Sequence, residues 1–235
     1  MNLILLGYGK MGKAIEQIAL RRGHTIAARI DTAAERDQLP KGAGDVAIEF
    51  TQPDAAVDNI RYCLRNGIPV VSGTTGWLQH RPEIEQLCQE QQGAFFYASN
   101  YSIGVNLFFR LNRSLARLMN AYPEYQVEME EIHHTQKKDA PSGTGITLAE
   151  GLMAELDRKT GWVEGPTNDP ALIPILSKRI DPVPGTHTVA YRSAIDDIEI
   201  KHTAHSREGF ATGAVVAAEW LLGKQGAFGM DDLLG

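Results

Sequence analysis

Through the first hundred residues, uninterrupted apolar runs alternate with segments whose apolar positions recur at helical spacing. NLILLG (2–7) is apolar up to its final glycine, the pattern of a strand covered on both faces. Beyond it Met11, Ala14, Ile15, Ile18 and Ala19 share one face of a helix, and Gly23 offers a left-handed stop. TIAARID (25–31), DVAIEFT (45–51), IPVVSG (68–73) and AFFYAS (94–99) read as further strands. Between them lie a helix from Pro53 to Asn66, closed by Gly67, and one from about Pro82 to Gln92, closed by Gly93. Strands alternating with helices of this length predict a parallel α/β sheet with right-handed crossovers.

Past Asn100 the pattern changes. GVNLFFRLNRSLARLMN (104–120) is an amphipathic helix, YQVEMEEIHH (125–134) alternates like a half-buried strand, and GITLAEGLMAEL (145–156) is helical again. ALIPILSKRI, HTVAYRS and DDIEIKHTAH then follow as strands with no helix between them. That order predicts a mixed or antiparallel sheet with helices to one side, an α+β unit. GFATGAVVAAEWLLG (209–223) is a strongly apolar helix that could pack on either unit.

Composition narrows the class. A chain of 235 residues with 43% hydrophobic and 22% charged residues is globular, as one large or two small domains. The net charge of -6 gives no electrostatic reason to expect nucleic acid or an anionic membrane as partner. No apolar run approaches the ~20 residues of a membrane span, and the apolar start MNLILLG lacks a signal peptide's basic region. Cys63 and Cys88 have the spacing of neither a zinc site nor a disulfide framework, so free, buried thiols in a cytoplasmic protein are expected.

Gly7, Gly9 and Gly12 of GYGKMG fall between a buried strand and a helix start, with the Gly-x-Gly-x-x-Gly spacing of a dinucleotide loop. The first permits a tight turn, the second lets backbone approach a pyrophosphate, and the third lets helix and strand pack closely. Asp31 ends the next strand, where a carboxylate would bond the adenosine ribose hydroxyls and repel a 2′-phosphate. NADH is therefore favoured over NADPH, although Arg29, Arg36 or Lys10 would soften that preference. SGTTG (72–76) adds amides and hydroxyls at another strand end.

EIHHTQKKDAPSGTG (131–145) crowds histidines, lysines and an aspartate between a strand and a helix. His133 and His134 would point to opposite faces of a strand, which argues against one shared metal ion. A solvated polar loop is the bland alternative, but several cations held together repel one another unless an anion or a reaction uses them. The third reading is an anion-binding catalytic site: APSGTG opens a helix from about Thr144, whose amides would hold a carboxylate while Lys137 and the histidines supply protons.

The stretch EIHHTQKKDAPSGT resembles the signature of the dihydrodipicolinate reductase (4-hydroxy-tetrahydrodipicolinate reductase) family, Glu-x-His-His-x-x-Lys-x-Asp-Ala-Pro-Ser-Gly-Thr, at every fixed position. GTTG, SNYSIGVN, RIDPVPGTHTV and AHSREGFATGAVVAAEWL resemble family segments in the same order, so the resemblance spans essentially the whole chain. It implies a Rossmann-like dinucleotide-binding domain over 1–103, with the C-terminal helix of 208–235 packed back on it. It also implies a second domain over 104–207 that binds substrate and joins a homotetramer through its sheet. The implied reaction is reduction of a small cyclic dicarboxylate to tetrahydrodipicolinate with NADH or NADPH, in diaminopimelate and lysine biosynthesis.

By the same resemblance His133 is the proton donor/acceptor and Lys137 the proton donor, while His134, Gly143 and Thr144 bind a substrate carboxylate. Gly7, Tyr8, Gly9, Lys10, Met11, Gly12, Asp31, Gly73, Thr74, Thr75, Ser99, Asn100, Tyr101 and Ser102 line the cofactor. Asp139 is expected to order the loop, by capping or by pairing with Lys138. Domain closure would place hinges near Ser102–Val105 and Arg207–Gly209, and Arg207 could equally reach substrate or cofactor.

The chain departs from the common Gly-x-x-Gly-Arg-Met-Gly loop by one residue, and Lys10 stands where an arginine would sit near the phosphates. Ser99-Asn100-Tyr101 replaces a common Ala-Asn-Phe or Ala-Pro-Phe run, an exchange expected to be neutral. Two alternatives differ in class: a related dehydrogenase of an amino dicarboxylate such as aspartate, and a catalytically silent NAD-binding sensor.

Overall fold

The structure is a computed structural model that describes residues 1–206 and 208–235; Arg207, one of the hinge and contact candidates, lies outside the described residues. The chain divides into two compact units, Met1–Ile103 with Glu208–Gly235, and Gly104–Arg207. Among the described residues each unit is built on one sheet, of six and of five strands respectively.

The first unit runs β1 (Asn2–Leu6), α1 (Lys10–Arg21), β2 (Thr25–Ile30), α2 (Ala33–Asp37), β3 (Val46–Glu49), α3 (Pro53–Arg65), β4 (Val70–Ser72), α4 (Arg81–Glu90) and β5 (Ala94–Tyr97). Its strands are parallel. The uninterrupted apolar runs are explained by cover on both faces. Leu3, Leu5 and Ile48 pack with Ile15, Ile18 and Ala19 of α1. Ile4, Leu6 and Ala47 turn the other way, onto Ile60 and Leu64 of α3 and Ile84 of α4.

The second unit holds α5 (Ile103–Met119), β6 (Gln126–His133), α6 (Gly143–Met153), β7 (Gly161–Glu164), β8 (Leu172–Arg179), β9 (Gly185–Arg192) and β10 (Asp197–Ala204). The strand order is β10-β9-β6-β8-β7, with β6, β8 and β7 parallel and β9 and β10 antiparallel, a mixed sheet. Alternation along β6 sends Val127 and Met129 into a core shared with Phe108 of α5, Leu148 and Leu152 of α6, and Val189 and Tyr191 of β9. Glu131 and His133 continue that inward row.

After residue 207 the chain adds α7 (Glu208–Leu221), β11 (Gly226–Phe228) and α8 (Met230–Leu234) to the first unit. Ala211, Ala214, Val215 and Ala218 of α7 complete the core over Leu3 and Leu5, and β11 pairs with β5 at the sheet edge. Glycine is obligatory at 213, where a Cβ would lie 1.7 Å from the Tyr101 carbonyl oxygen.

Candidate active site

In the first unit the glycine loop is shaped by contact on two sides and left open on the third. Gly7 has φ +90°, and a Cβ there would lie 2.1 Å from the Phe50 carbonyl oxygen. A Cβ at Gly12 would lie 2.2 Å from the Gly7 carbonyl oxygen, so α1 approaches β1 closely. Among the described residues a Cβ at Gly9 would meet nothing within 4 Å, and no side chain caps α1, whose N-cap is Gly9. Backbone amides with open space before them are what a pyrophosphate requires, so the residues present fit a dinucleotide.

Asp31 takes the Tyr8 N–H at 2.6 Å, which ties the carboxylate to the loop. Arg29 and the Tyr8 hydroxyl both bond Glu16, and the Arg29 guanidinium lies 5.6 Å from the Tyr8 ring centroid. Arg36 bonds Asp37 and Asn59 and stacks on Tyr62. Thr32 and Glu35 form a capping box on α2. Lys10 and Met11 open α1, Lys10 being exposed.

A buried carboxylate that the sequence reading did not single out organises the strand ends. Glu49, 0% exposed, accepts from the Thr51 N–H at 2.9 Å, the Thr51 hydroxyl at 2.5 Å, the Ser72 hydroxyl at 2.6 Å and the Thr74 hydroxyl at 2.8 Å. Thr74 is therefore buried, while Thr75 is exposed. Gly73 lies against the Phe50 ring. Tyr101 is a core residue: its ring packs near Phe50 and Phe96, and its hydroxyl donates to the Ser72 carbonyl at 2.7 Å. Ser99 is exposed, and Asn100 accepts the Ser102 N–H at 2.9 Å. Of the hinge candidates, Ile103 to Val105 already form the first turn of α5.

In the second unit the centre is Glu131, which is 1% exposed. Register places it between Ser177 of β8 and His187 of β9 in one row across the sheet. Its oxygens accept the Ser142 N–H at 2.9 and 3.1 Å, the Ser142 hydroxyl at 2.5 Å and the Ser177 hydroxyl at 3.1 Å. Ser142 is also the N-cap of α6, taking the Gly145 N–H at 3.1 Å. With the Ser142 proton given to Glu131, His187 Nε2, 3.2 Å away, is the donor in its contact with that hydroxyl.

His133 Nδ1 lies 3.8 Å from a Glu131 oxygen, too far for a hydrogen bond, and is a buried nitrogen without a partner among the described residues. Burial, aided by the neighbouring His187, pushes the His133 imidazole down to about 4. Glu131 is held at about 2: burial acts to raise it, but His187 and the Ser142 hydroxyl and amide outweigh that effect. Glu131, His133 and His187 bring three ligand atoms within 4.8 Å of one another. Since Ser142 and Ser177 already occupy the carboxylate's acceptor positions, the group is a hydrogen-bonded network rather than an open ligand set.

His134 lies just beyond the end of β6 and is half-buried, whereas His133 is buried. Lys137 Nζ bonds Asp139, which corrects the expected Asp139–Lys138 pairing: the side chain two residues back is the one in reach. Arg179 secures the loop by donating to the Lys137 and Asp139 carbonyls at 3.2 and 2.7 Å. Gly143 is exposed, with nothing within 4 Å of a built Cβ, and Thr144 is half-buried in the same turn. Glu131 carried a signal in its place two residues before His133 on one strand face. His187 and Arg179 carried none until strand pairing brought them alongside.

Comparison with known proteins agrees with this architecture. The family profiles described as "Dihydrodipicolinate reductase, N-terminus" and "Dihydrodipicolinate reductase, C-terminus" match residues 1–101 and 104–234. The chain is 51% identical to a 4-hydroxy-tetrahydrodipicolinate reductase of Christiangramia forsetii, over 100% of this chain and 98% of that one. It is 37% identical to one of Methanoregula boonei, over 93% and 86%. The fold matches a dipicolinate-bound dihydrodipicolinate reductase from Paenisporosarcina sp. TG-14 with a TM-score of 0.77, at 22% identity and 99% coverage of both chains. The chain belongs to the dihydrodipicolinate reductase family, NAD(P)H-dependent oxidoreductases of diaminopimelate and lysine biosynthesis.

Proposed function

We propose that the chain reduces 4-hydroxy-tetrahydrodipicolinate, the compound for which its relatives are named, to tetrahydrodipicolinate, with NADH favoured over NADPH. The open backbone at Gly9 and the first turn of α1 would hold the pyrophosphate, and Asp31 the adenosine ribose. The engagement of Arg29 by Glu16 and of Arg36 by Asp37 supports the preference for NADH, since neither arginine is left uncommitted for a 2′-phosphate. When bound, the reduced nicotinamide supplies the hydride.

The chain's own residues bind the dicarboxylate and deliver the proton. The first turn of α6 at Gly143 and Thr144, with His134, would take a carboxylate on free amides at a positive helix end. His133 is neutral in the ligand-free site near pH 7. An arriving dianion favours the imidazolium, so substrate binding itself draws a proton onto His133. The net change takes up one hydride and one proton and releases the 4-hydroxyl as water. Lys137, with His133, supplies that proton and places positive charge where the reduced substrate builds up negative charge, a kind of contribution worth ~10² to 10⁴ in rate. Half-buried Glu130, Ile132 and Thr188, on the sheet face away from the α6 side, support assembly of a homotetramer there. No helix among the described residues is long and apolar enough to cross a membrane, in keeping with a cytoplasmic enzyme.

The observation that carries the proposal is the buried His133, whose Nδ1 has no hydrogen-bond partner among the described residues, beside Glu131 in a chain of this family. The test is a coupled assay with freshly generated substrate, following loss of absorbance from each reduced nucleotide. Oxidation of both, faster for NADH, is expected; no oxidation of either, in a mixture that an authentic reductase turns over, would reject the assignment.

A further inference from the structure

Glu131 is a buried carboxylate to which the reaction proposed above gives no role, yet it touches the Ser142 cap of α6 and lies within 4 Å of His133, Arg179 and His187. Through Ser142 it fixes the start of α6, because the hydroxyl that donates to Glu131 at 2.5 Å also accepts the Gly145 N–H at 3.1 Å. The fit is close: a Cβ at Gly145 would lie 2.6 Å from Glu131 Oε2. Through the same hydroxyl it fixes the His187 ring, whose centroid lies 5.0 Å from that of His133. Of the charged or titratable groups that face His133 among the described residues, Lys137 of the loop, Arg179 of β8 and His187 of β9 oppose its protonation, and Glu131 favours it.

We propose that Glu131 is a positioning residue that sets two features at once: the first turn of α6 as a carboxylate pocket, through Ser142, and the readiness of His133 to accept a proton, through its own charge. The inference rests on the reading of His133 and the α6 turn as the proton-transfer and carboxylate-binding groups. Its chemistry is local and concrete. A carboxylate held by one amide N–H shared between its two oxygens and by two hydroxyls is rigid, so its negative charge stays where the imidazolium would form. A glutamine in its place has one oxygen rather than two, and its amide N–H would face the Ser142 amide or hydroxyl as donor against donor.

The test compares wild type, Glu131→Gln, Glu131→Asp and Ser142→Ala in the NADH-loaded full chain. Dipicolinate serves as the carboxylate probe, and NMR of ring-labelled histidine follows the titration of His133. Loss of a charge-assisted bond at the pocket predicts that Glu131→Gln and Ser142→Ala weaken dipicolinate about tenfold or more. Glu131→Gln should also move the His133 titration to lower pH, which Ser142→Ala, with the carboxylate kept, should not. Glu131→Asp should restore the His133 titration towards wild type, and NADH affinity should stay within about twofold throughout. Wild-type dipicolinate affinity and an unmoved His133 titration in Glu131→Gln would overturn the proposal. If that variant does not fold, Ser142→Ala decides, and an unchanged dipicolinate affinity rejects it. Neither readout needs turnover, so a wild-type chain that failed to reduce the substrate would remove the proposed reaction and leave this test intact.

Discussion

Lys137 Nζ lies 2.8 Å from both carboxylate oxygens of Asp139. The ammonium thus sits in a two-residue ring, held by a partner whose side chain is 60% exposed. Such a solvent-facing pair is weak, so a substrate carboxylate can compete for the lysine at small cost. Lys137→Ala is expected to lower kcat by about 10² or more with NADH affinity nearly unchanged. Asp139→Asn, which loosens the lysine without removing it, is expected to change kcat less than about tenfold. Steady-state kinetics with NADH titrations separate the two, and an equal loss of cofactor affinity in Lys137→Ala would refute the role given to it.

Cofactor choice is predicted to be held by two carboxylates with different jobs. Asp31 takes the Tyr8 N–H of the glycine loop, and Glu16 keeps Arg29 engaged. Asp31→Asn should raise the NADPH to NADH ratio of kcat/KM by roughly tenfold through lost repulsion. Adding Glu16→Gln, which weakens the hold on Arg29, should raise it further. A ratio that stays fixed in both variants would remove these residues from the selection.

Glu49→Ala removes one acceptor from three side chains and an amide. The Ser72 and Thr74 hydroxyls are buried and would be left without this acceptor, so a loss of about 3 kcal/mol in unfolding free energy is expected from urea melts. NADH affinity should fall as well, because Thr51 and Thr74 are pinned by the same carboxylate.

Burial of neutral imidazole gives a stability profile with a definite sign. His133 titrates at about 4 in the fold and, at its ordinary value, near 6.5 when unfolded. Between those limits the unfolded chain binds more protons, so stability is full above about pH 6.5 and declines as the pH falls towards 4. His202, also lowered by burial, adds to the same slope. Glu131, held at about 2, extends the loss below pH 4. His133→Gln should flatten the upper part of the slope in melts run from pH 7 to pH 4.

Both cysteine thiols are buried, and burial pushes Cys63 up to about 12. Neither should react with a thiol reagent at pH 8 on the time scale of minutes unless the protein is unfolded first. Rapid labelling of the native chain would contradict the burial of α3 and α4.

The sheet of the first unit was readable because cover on both faces leaves unbroken apolar strands, and Pro53, Gly23 and Gly67 mark helix ends by backbone geometry. What escaped reading was short or dependent on partners. The strand β7 is four residues long, and β11 three, at the sheet edge. The helix α2 has no buried residue, although Thr32 and Glu35 carried its capping signal. His133 and Lys137 stood out in a dense motif. His187 and Arg179 did not, because only the pairing of β6 with β9 and β8 sets them opposite Glu131 and His133.

The return of α7 to the first unit has a consequence for biogenesis. Leu3 and Leu5 leave the ribosome early, yet Ala214, Val215 and Ala218, which shelter one side of them, are made only after the whole second unit. Until then that face of the nascent sheet has α1 but lacks α7, and the apolar surface left uncovered is one to which a chaperone can bind. Chains ending before residue 208 are expected to keep that surface exposed and to be cleaved faster than the full chain in limited proteolysis.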